Sequence, residues 1–224
     1  MYRDKTVSAV IPCYNEEEGI RYVIEKMPDF IDEIVVVDNN STDRTGEVAA
    51  GMGARVILEK RKGYGRAYQT GIPEAKSEIV VTLDGDGSYP TEEIGPLLDC
   101  LIDKKLDFVS ASRFPLRQKG SMQGMNQLGN WVLTIATAIL YLRPIRDSQS
   151  GMWAFYSETY RKLSPRSDGM PFSEELKIEA ILAKDVKFDE FHIDYHERIG
   201  EVKLNMWSDG FENLMFLVKR RFRR

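Results

Sequence analysis

Asp84-Gly85-Asp86 places two carboxylates one residue apart, directly after the apolar run Ile79-Val80-Val81-Thr82-Leu83. Alternate residues of an extended strand share a face, so a strand ending in Asp-x-Asp aims both acids the same way. Paired hard oxygens at a strand end are what a divalent cation on a diphosphate requires. Gly85 and Gly87 keep side chains clear, so a bulky ligand can approach the backbone. An acidic turn uses the same residue types, and the surroundings of the pair decide between the two.

The elements that position the pair are legible in the first 110 residues. Apolar runs at 7–11, 34–37, 55–58, 79–83 and 107–110 read as strands, and helical patterns lie between them near 16–27, 43–52, 64–72 and 91–102. Such alternation implies an α/β fold with a mostly parallel, Rossmann-like sheet flanked by helices. Ligands in these sheets bind at the carboxyl ends of the strands, near a topological switch. Three of the strands end in ligand-type residues: Pro12-Cys13-Tyr14-Asn15-Glu16, Asp38-Asn39-Asn40-Ser41-Thr42-Asp43, and Asp84 to Ser88. Beyond residue 110 the alternation fades into a loop at 113–121, a helix at 125–142, a strand at 151–156, a helix at 172–184, a strand at 186–195 and a closing helix over 211–224.

Asp38 sits at the tip of the second strand, suited to a base or ribose contact; Ser41 or Thr42 suits the cap of the next helix, with Asp43 and Thr45 in its first turn. The run Glu59-Lys60-Arg61-Lys62-Gly63-Tyr64-Gly65-Arg66 reads either as a solvated basic loop or as a phosphate or sugar contact, because glycines ahead of a helix beside cations suit an anion. His192 and His196 have the spacing of a helical zinc pair, but Phe191, Ile193 and Tyr195 alternate with polar residues as in a strand. Four strand residues span roughly 13 Å, too far for one metal, which leaves both histidines structural. No Gly-x-Ser-x-Gly elbow and no Gly-x-x-x-x-Gly-Lys-Ser/Thr loop is present.

The 224 residues, with a net charge of -4, give no support for nucleic-acid binding. Cys13 and Cys100 have no metal-type spacing and fit a reducing compartment. The amino terminus shows no export signal. The longest apolar stretch, Trp131 to Leu142, has 12 residues, whereas about 20 are needed to cross a bilayer.

VIPCYNEEEGI at 10–20, IVVVDNNSTDRT at 34–45, RKGYGRAYQTG at 61–71 and VTLDGDGSYP at 81–90 resemble family 2 glycosyltransferases of the GT-A fold. SRF at 112–114, IRDSQSGMWAFY at 145–156, GMPFSEEL at 169–176 and YHERIGEVKL at 195–204 are similar to the branch that charges polyprenyl phosphates, which includes dolichyl-phosphate glucose and mannose synthases. The motifs run in order over residues 6–205. The resemblance implies that Pro12, Tyr14, Glu16, Asp38 and Asp43 surround the nucleotide, with Lys62, Gly63 and Gly85 on the donor side. It implies that Asp84 and Asp86 hold Mg2+ or Mn2+ on the donor's diphosphate, with Ser88 a weaker further ligand. Arg113 and Arg198 match basic positions suited to the donor diphosphate or the acceptor phosphate, and 147–151 matches the acceptor-side signature.

What the resemblance implies chemically is inverting transfer of a hexose from a nucleotide sugar to a lipid phosphate. The phosphate nucleophile is already ionised, so positioning dominates over base catalysis; if a carboxylate assists, Glu175 is the first candidate and Asp147 the second. The DGDG and GYGRA runs lean toward UDP-glucose or UDP-GlcNAc rather than GDP-mannose. A soluble glycan acceptor and a non-catalytic nucleotide-sugar-binding subunit are the competing readings. The expected organisation is a GT-A domain over 1–205, with a nucleotide-sugar half at 1–110 and an acceptor half at 111–205, followed by a basic amphipathic helix at 206–224. Many such relatives carry membrane spans after this domain. In their place, five basic residues in 219–224 and the apolar face from Phe211 suit peripheral contact with the cytoplasmic face of a membrane, or packing on the domain, on a second copy or on a membrane subunit.

Overall fold

The computed structural model describes residues 1–117, 122, 124–200 and 206–222. Part of the expected loop at 113–121, the EVKL end of the 195–204 motif, and Arg223 and Arg224 lie outside the described residues.

Seven strands form one sheet in the order β3-β2-β1-β4-β6-β5-β7. They are β1 (Val7–Cys13), β2 (Glu33–Asp38), β3 (Arg55–Leu58), β4 (Ile79–Thr82), β5 (Phe108–Ser112), β6 (Trp153–Tyr156) and β7 (Phe188–His192). The helices are α1 (Glu17–Glu25), α2 (Thr45–Gly51), α3 (Tyr64–Gly71), α4 (Ile94–Asp103), α5 (Gly124–Tyr141), α6 (Ser157–Lys162), α7 (Phe172–Leu182) and α8 (Met206–Phe222). The first four strands run parallel, as the alternation implies; β6 enters between β4 and β5 antiparallel to both. The sheet therefore continues unbroken past residue 110. Helix α6 is an addition to the sequence reading, and β7 is shorter than the expected 186–195.

β1 is buried along its whole length, as a central parallel strand covered on both faces must be. Val7, Ala9, Ile11 and Cys13 pack with α1, α2 and α4, while Val10 turns to the opposite layer with α3 and α7. Tyr68, Trp153 and Phe172 anchor that second layer, the Tyr68 and Phe172 rings stacking at 5.6 Å. Truncating a buried aromatic of this kind costs about 3–5 kcal/mol.

The break in the sheet that makes room for a ligand follows from the same register. β1 pairs with β2 as far as Cys13↔Asp38, but with β4 only to Val10↔Thr82. The Cys13 carbonyl accepts from Asn39 N–H at 2.8 Å, so the intervening Pro12 has its nitrogen on the β4 side, where pairing has ended and no donor is required. The chain runs from β1 outward to β3 on one flank and to β4 on the other. Residues 84–88 leave β4 at that switch point.

Candidate active site

Asp84 to Ser88 form a loop wedged against the end of β1 and the start of α1. A Cβ on Gly85 would lie 2.4 Å from Cys13 Sγ, and one on Gly19 would lie 2.4 Å from the Gly85 carbonyl oxygen. Only bare backbone fits both positions. Asp84 Oδ1 accepts a hydrogen bond from the Tyr64 hydroxyl at 3.1 Å. Asp86 Oδ1 accepts from the Ser88 backbone N–H at 2.9 Å and from its hydroxyl at 2.6 Å. Ser88 is 1% exposed and its hydroxyl orients Asp86.

The electrostatics of the pair are unbalanced. Burial, and then the neighbouring Asp86 charge, push the Asp84 carboxyl up to about 7, against the opposing pull of Tyr64, Arg113 and Arg198. Arg198 Nη2 lies 2.8 Å from Glu16 Oε1 and 3.4 Å from Asp86 Oδ2, so one guanidinium is shared between two carboxylates. Its segment is pinned over the loop by His196 N–H to the Ser88 carbonyl at 2.9 Å and Ile199 N–H to the Asp86 carbonyl at 2.8 Å. The structure thus brings Glu16, Asp84, Asp86 and Arg198 together from three distant stretches of chain.

The nucleotide-side residues gather next to them. Tyr14 Oη accepts from Lys62 Nζ at 3.0 Å, with the ammonium 4.7 Å from the ring centroid. Asp38 Oδ1 accepts from Ser41 N–H at 2.9 Å, and Asp43 accepts from the backbone N–H groups of Thr45 and Glu17. Ser41 and Thr42 do not cap α2. The Ser41 hydroxyl accepts from Asn15 N–H, and Thr42 donates to Asn15 Oδ1, which ties the ends of β1 and β2 into one rim. Asn39 organises the 59–63 loop: its amide nitrogen donates to the Glu59 and Arg61 carbonyls, and its Oδ1 accepts from Gly63 N–H at 2.8 Å. Gly63 has φ +146, and a Cβ there would meet the Asp168 carbonyl oxygen at 2.3 Å, so both conformation and space demand glycine.

Across the crevice, Arg113 and Asp147 form a buried bidentate pair, with Nε to Oδ2 at 2.7 Å and Nη2 to Oδ1 at 2.9 Å. Burial alone raises a carboxyl, but the Arg113 charge and its hydrogen bonds hold Asp147 down to about 2. The rest of the 147–151 segment is fastened as firmly. Lys177 Nζ donates to the carbonyls of Asp147 and Ser150 at 2.9 and 2.8 Å, and Glu190 accepts from the N–H groups of Arg146 and Asp147. Burial pulls Lys177 down to about 7, Asp147 opposing. Gln149 Nε2 donates to Glu174 Oε2 at 2.7 Å, and burial pushes Glu174 up to about 8. Glu175, by contrast, has its carboxylate occupied by the N–H groups of Arg166 and Ser167 at 2.9 and 2.7 Å and by Arg220 at 3.1 Å. Those contacts anchor a loop and α8.

Lys177 and Glu190 escape a reading of the sequence, because nothing in their spacing distinguishes them from surface residues; Asn39, Tyr64 and Glu174 lie inside motifs but without a role of their own. The histidines go separate ways: His192 Nδ1 faces the Phe114 carbonyl at 3.2 Å, while His196 Nε2 stands 3.6 Å from Glu92. No group of three or more His, Cys, Asp or Glu arranged around one metal position occurs among the described residues.

Comparison with known proteins gives this geometry a lineage. The chain is 34% identical over 220 residues to the low-salt glycan biosynthesis hexosyltransferase Agl6 of Haloferax volcanii, covering 95% of this chain and 53% of that protein. It is 33% identical over 212 residues to a dolichyl-phosphate hexose transferase of the same organism, covering 93% of this chain and 91% of that protein. A UDP-N-acetylglucosamine–dolichyl-phosphate N-acetylglucosaminyltransferase of Methanococcus voltae is 29% identical, covering 72% of this chain and 73% of that protein. In fold, the chain is similar to glucosyl-3-phosphoglycerate synthase from Mycobacterium tuberculosis, solved with Mn2+, UDP and glucosyl-3-phosphoglycerate, with a TM-score of 0.76 at 23% identity, over 97% of this chain and 80% of that one. The sheet and its flanking helices are thus those of GT-A glycosyltransferases. The model of "Glycosyl transferase family 2" matches residues 8–163, and the chain belongs to that family.

Proposed function

We propose that this protein transfers a hexose from a nucleoside-diphosphate sugar to the phosphate of a polyprenyl or dolichyl lipid, with Mg2+ or Mn2+ held by Asp84 and Asp86. The observation that carries the reading is the only partly compensated carboxylate pair at the switch point, where Arg198 is shared with Glu16 and where burial and the adjoining Asp86 charge push Asp84 up to about 7. Two hard oxygens in that state fit a hard divalent cation. A cation bound there supplies Lewis-acid neutralisation of the departing nucleoside diphosphate. Tyr14, Lys62, Asp38 and Asp43 would hold the nucleoside, and Glu16 would keep Arg198 beside the diphosphate. The buried Arg113–Asp147 pair fixes the 147–151 segment against which the acceptor phosphate is received. No general base is assigned: Asp147 is neutralised by Arg113 and Glu175 is engaged by backbone and Arg220, while a phosphate oxygen is nucleophilic as it stands.

The lipid acceptor is supported by the names of the Haloferax and Methanococcus relatives and by the exterior of α5 and α8. Trp131 and Ile139 on α5, Leu142 just past its end, and Phe211 and Phe222 on α8 are all more than half exposed. They adjoin Arg143, Lys219 and Arg221, a combination suited to an anionic leaflet. Leu217 on the other side of α8 is buried against Leu133 and Ile178, so the helix packs on the domain while presenting its outer side. No helix among the described residues is long and apolar enough to cross a membrane; we place the contact at the cytoplasmic face. UDP-glucose or UDP-GlcNAc is the favoured donor, the latter printed in the name of the Methanococcus relative.

The test is incubation with UDP-glucose, UDP-GlcNAc or GDP-mannose and a short polyprenyl phosphate, with Mn2+ or Mg2+ and with chelator. Lipid-linked product that disappears with chelator is the expected result. No lipid product from any donor, with transfer to a soluble glycan instead, overturns the acceptor. Transfer indifferent to chelator overturns the metal.

A further inference from the structure

Tyr64 opens α3, far in sequence from both strands that flank the crevice, yet its hydroxyl donates to Asp84 Oδ1 at 3.1 Å. Its ring stands edge-on to the buried Tyr68 at 5.0 Å between centroids, which fixes the hydroxyl. Gly151 closes on the same spot from the acceptor-side segment. A Cβ at 151 would lie 2.2 Å from Tyr64 Oη, 3.3 Å from Asp84 Oδ1 and 3.6 Å from Tyr64 Cζ. Gly151 does not have a positive φ, so space alone demands glycine there. The residue cannot yield that space: its N–H donates to Tyr89 Oη at 2.6 Å, and its carbonyl accepts from Thr82 Oγ1 at 2.9 Å and Tyr68 Oη at 3.4 Å.

We propose that Tyr64 is the positioning residue for Asp84, and that the missing side chain at Gly151 is what keeps the Tyr64 hydroxyl in place; the inference rests on the metal reading above. A carboxylate that ligates a cation through one oxygen is oriented by a donor on the other. Tyr64 is that donor. Because Gly151 belongs to the segment whose Asp147 pairs with Arg113, the acceptor side and the metal side meet at this one contact.

The test compares the intact chain with Tyr64→Phe, Gly151→Ala, the double variant, and Asp84→Asn as the reference that removes a ligand. Mn2+ affinity in the presence of UDP is read by electron paramagnetic resonance, and thermal midpoint by circular dichroism. Tyr64→Phe keeps the ring packing and the midpoint but weakens Mn2+ binding roughly tenfold, the low end for losing a partner that orients a ligand. Gly151→Ala alone weakens Mn2+ binding and lowers the midpoint. Added to Tyr64→Phe it costs less than it does alone, because the 2.2 Å clash with the hydroxyl is gone and only the contacts of 3.3 Å to Asp84 Oδ1 and 3.6 Å to Cζ remain. Unaltered Mn2+ binding in Tyr64→Phe overturns the role of Tyr64 and leaves the metal reading intact. Additive effects of the two substitutions overturn the role of Gly151. Failure of the intact chain to bind Mn2+ overturns both, together with the metal reading.

Discussion

Two acidic sites face each other across one crevice and have opposite characters. Asp147 is fully buried, yet a bidentate arginine, a backbone N–H and the nearby Lys177 hold it ionised at about 2. Asp84 is pushed up to about 7 by burial and then by the adjoining Asp86 charge, with Tyr64, Arg113 and Arg198 offsetting them only in part. The first site is complete without a ligand and serves as a fixture for the 147–151 segment. The second carries negative charge that the protein leaves only partly matched, since Arg198 is divided between Asp86 and Glu16. Burial raises both carboxyls; what separates the two sites is the dedicated arginine that Asp147 has and the carboxylate pair lacks.

That contrast breaks most sharply under substitution. Asp86→Asn is expected to cut transfer about a thousandfold, on the order of 4 kcal/mol of lost charge stabilisation at the leaving group, while thermal stability holds or rises as like charges separate. Arg113→Met should do the reverse first. Stripping the counter-ion from buried Asp147 costs about 3–5 kcal/mol of folding free energy, measured by chemical denaturation. Equal losses of stability in the two variants would erase the distinction.

The pH dependence sharpens the comparison further. In the metal-free chain the Asp84 pKa lies above its unfolded value near 3.8, so between about 4 and 7 the folded state holds the extra proton and stability falls as pH rises. Asp147, with its pKa lowered to about 2, acts in the opposite sense: its contribution is present above about 4 and is lost as pH drops toward 2. Denaturation of Asp84→Asn across pH 4–8 should therefore show a flatter profile than the parent. Mn2+ binding to the parent should weaken below about pH 7 as protons compete at Asp84.

The smallest expected effect lies on the outer surface. Ile139→Ser, at a position 66% exposed on α5, is expected to weaken co-sedimentation with anionic vesicles about tenfold, because burying such a side chain is worth about 1.5–3 kcal/mol. Transfer to a short, water-soluble prenyl phosphate should be unaffected. Unchanged sedimentation would remove α5 from the membrane contact.

Much of this was legible before any coordinates. The parallel strands announce themselves because β1, β2 and β4 are buried on both faces and read as unbroken apolar runs, and each ends where a polar cluster begins. The carboxylate pair, its partners Glu16 and Arg198 and the Tyr14–Lys62 contact lie on those polar ends or on motifs quoted from the sequence. What escaped was non-local. The insertion of β6 between β4 and β5 depends on pairing over long stretches of chain. Lys177 and Glu174 sit on a helix with charges on several sides, and only the arrival of the 147–151 segment shows that these two point inward. Glu175 was the attractive base by motif, and its neighbour contacts the acceptor-side segment instead. Tyr64 lies in a motif, but its contact with Asp84 is not legible there, since it exists only where Asp84 and Gly151 meet it.

The most direct test of the central claim, that the partly matched pair is a cation site, is an Mn2+ titration of the intact chain and of Asp84→Asn at pH 8, followed by electron paramagnetic resonance with UDP present. One Mn2+ per chain, bound at least a hundredfold more weakly by Asp84→Asn at undiminished thermal stability, is the predicted result. Equal binding by the two proteins, or no binding by the intact chain, would contradict it.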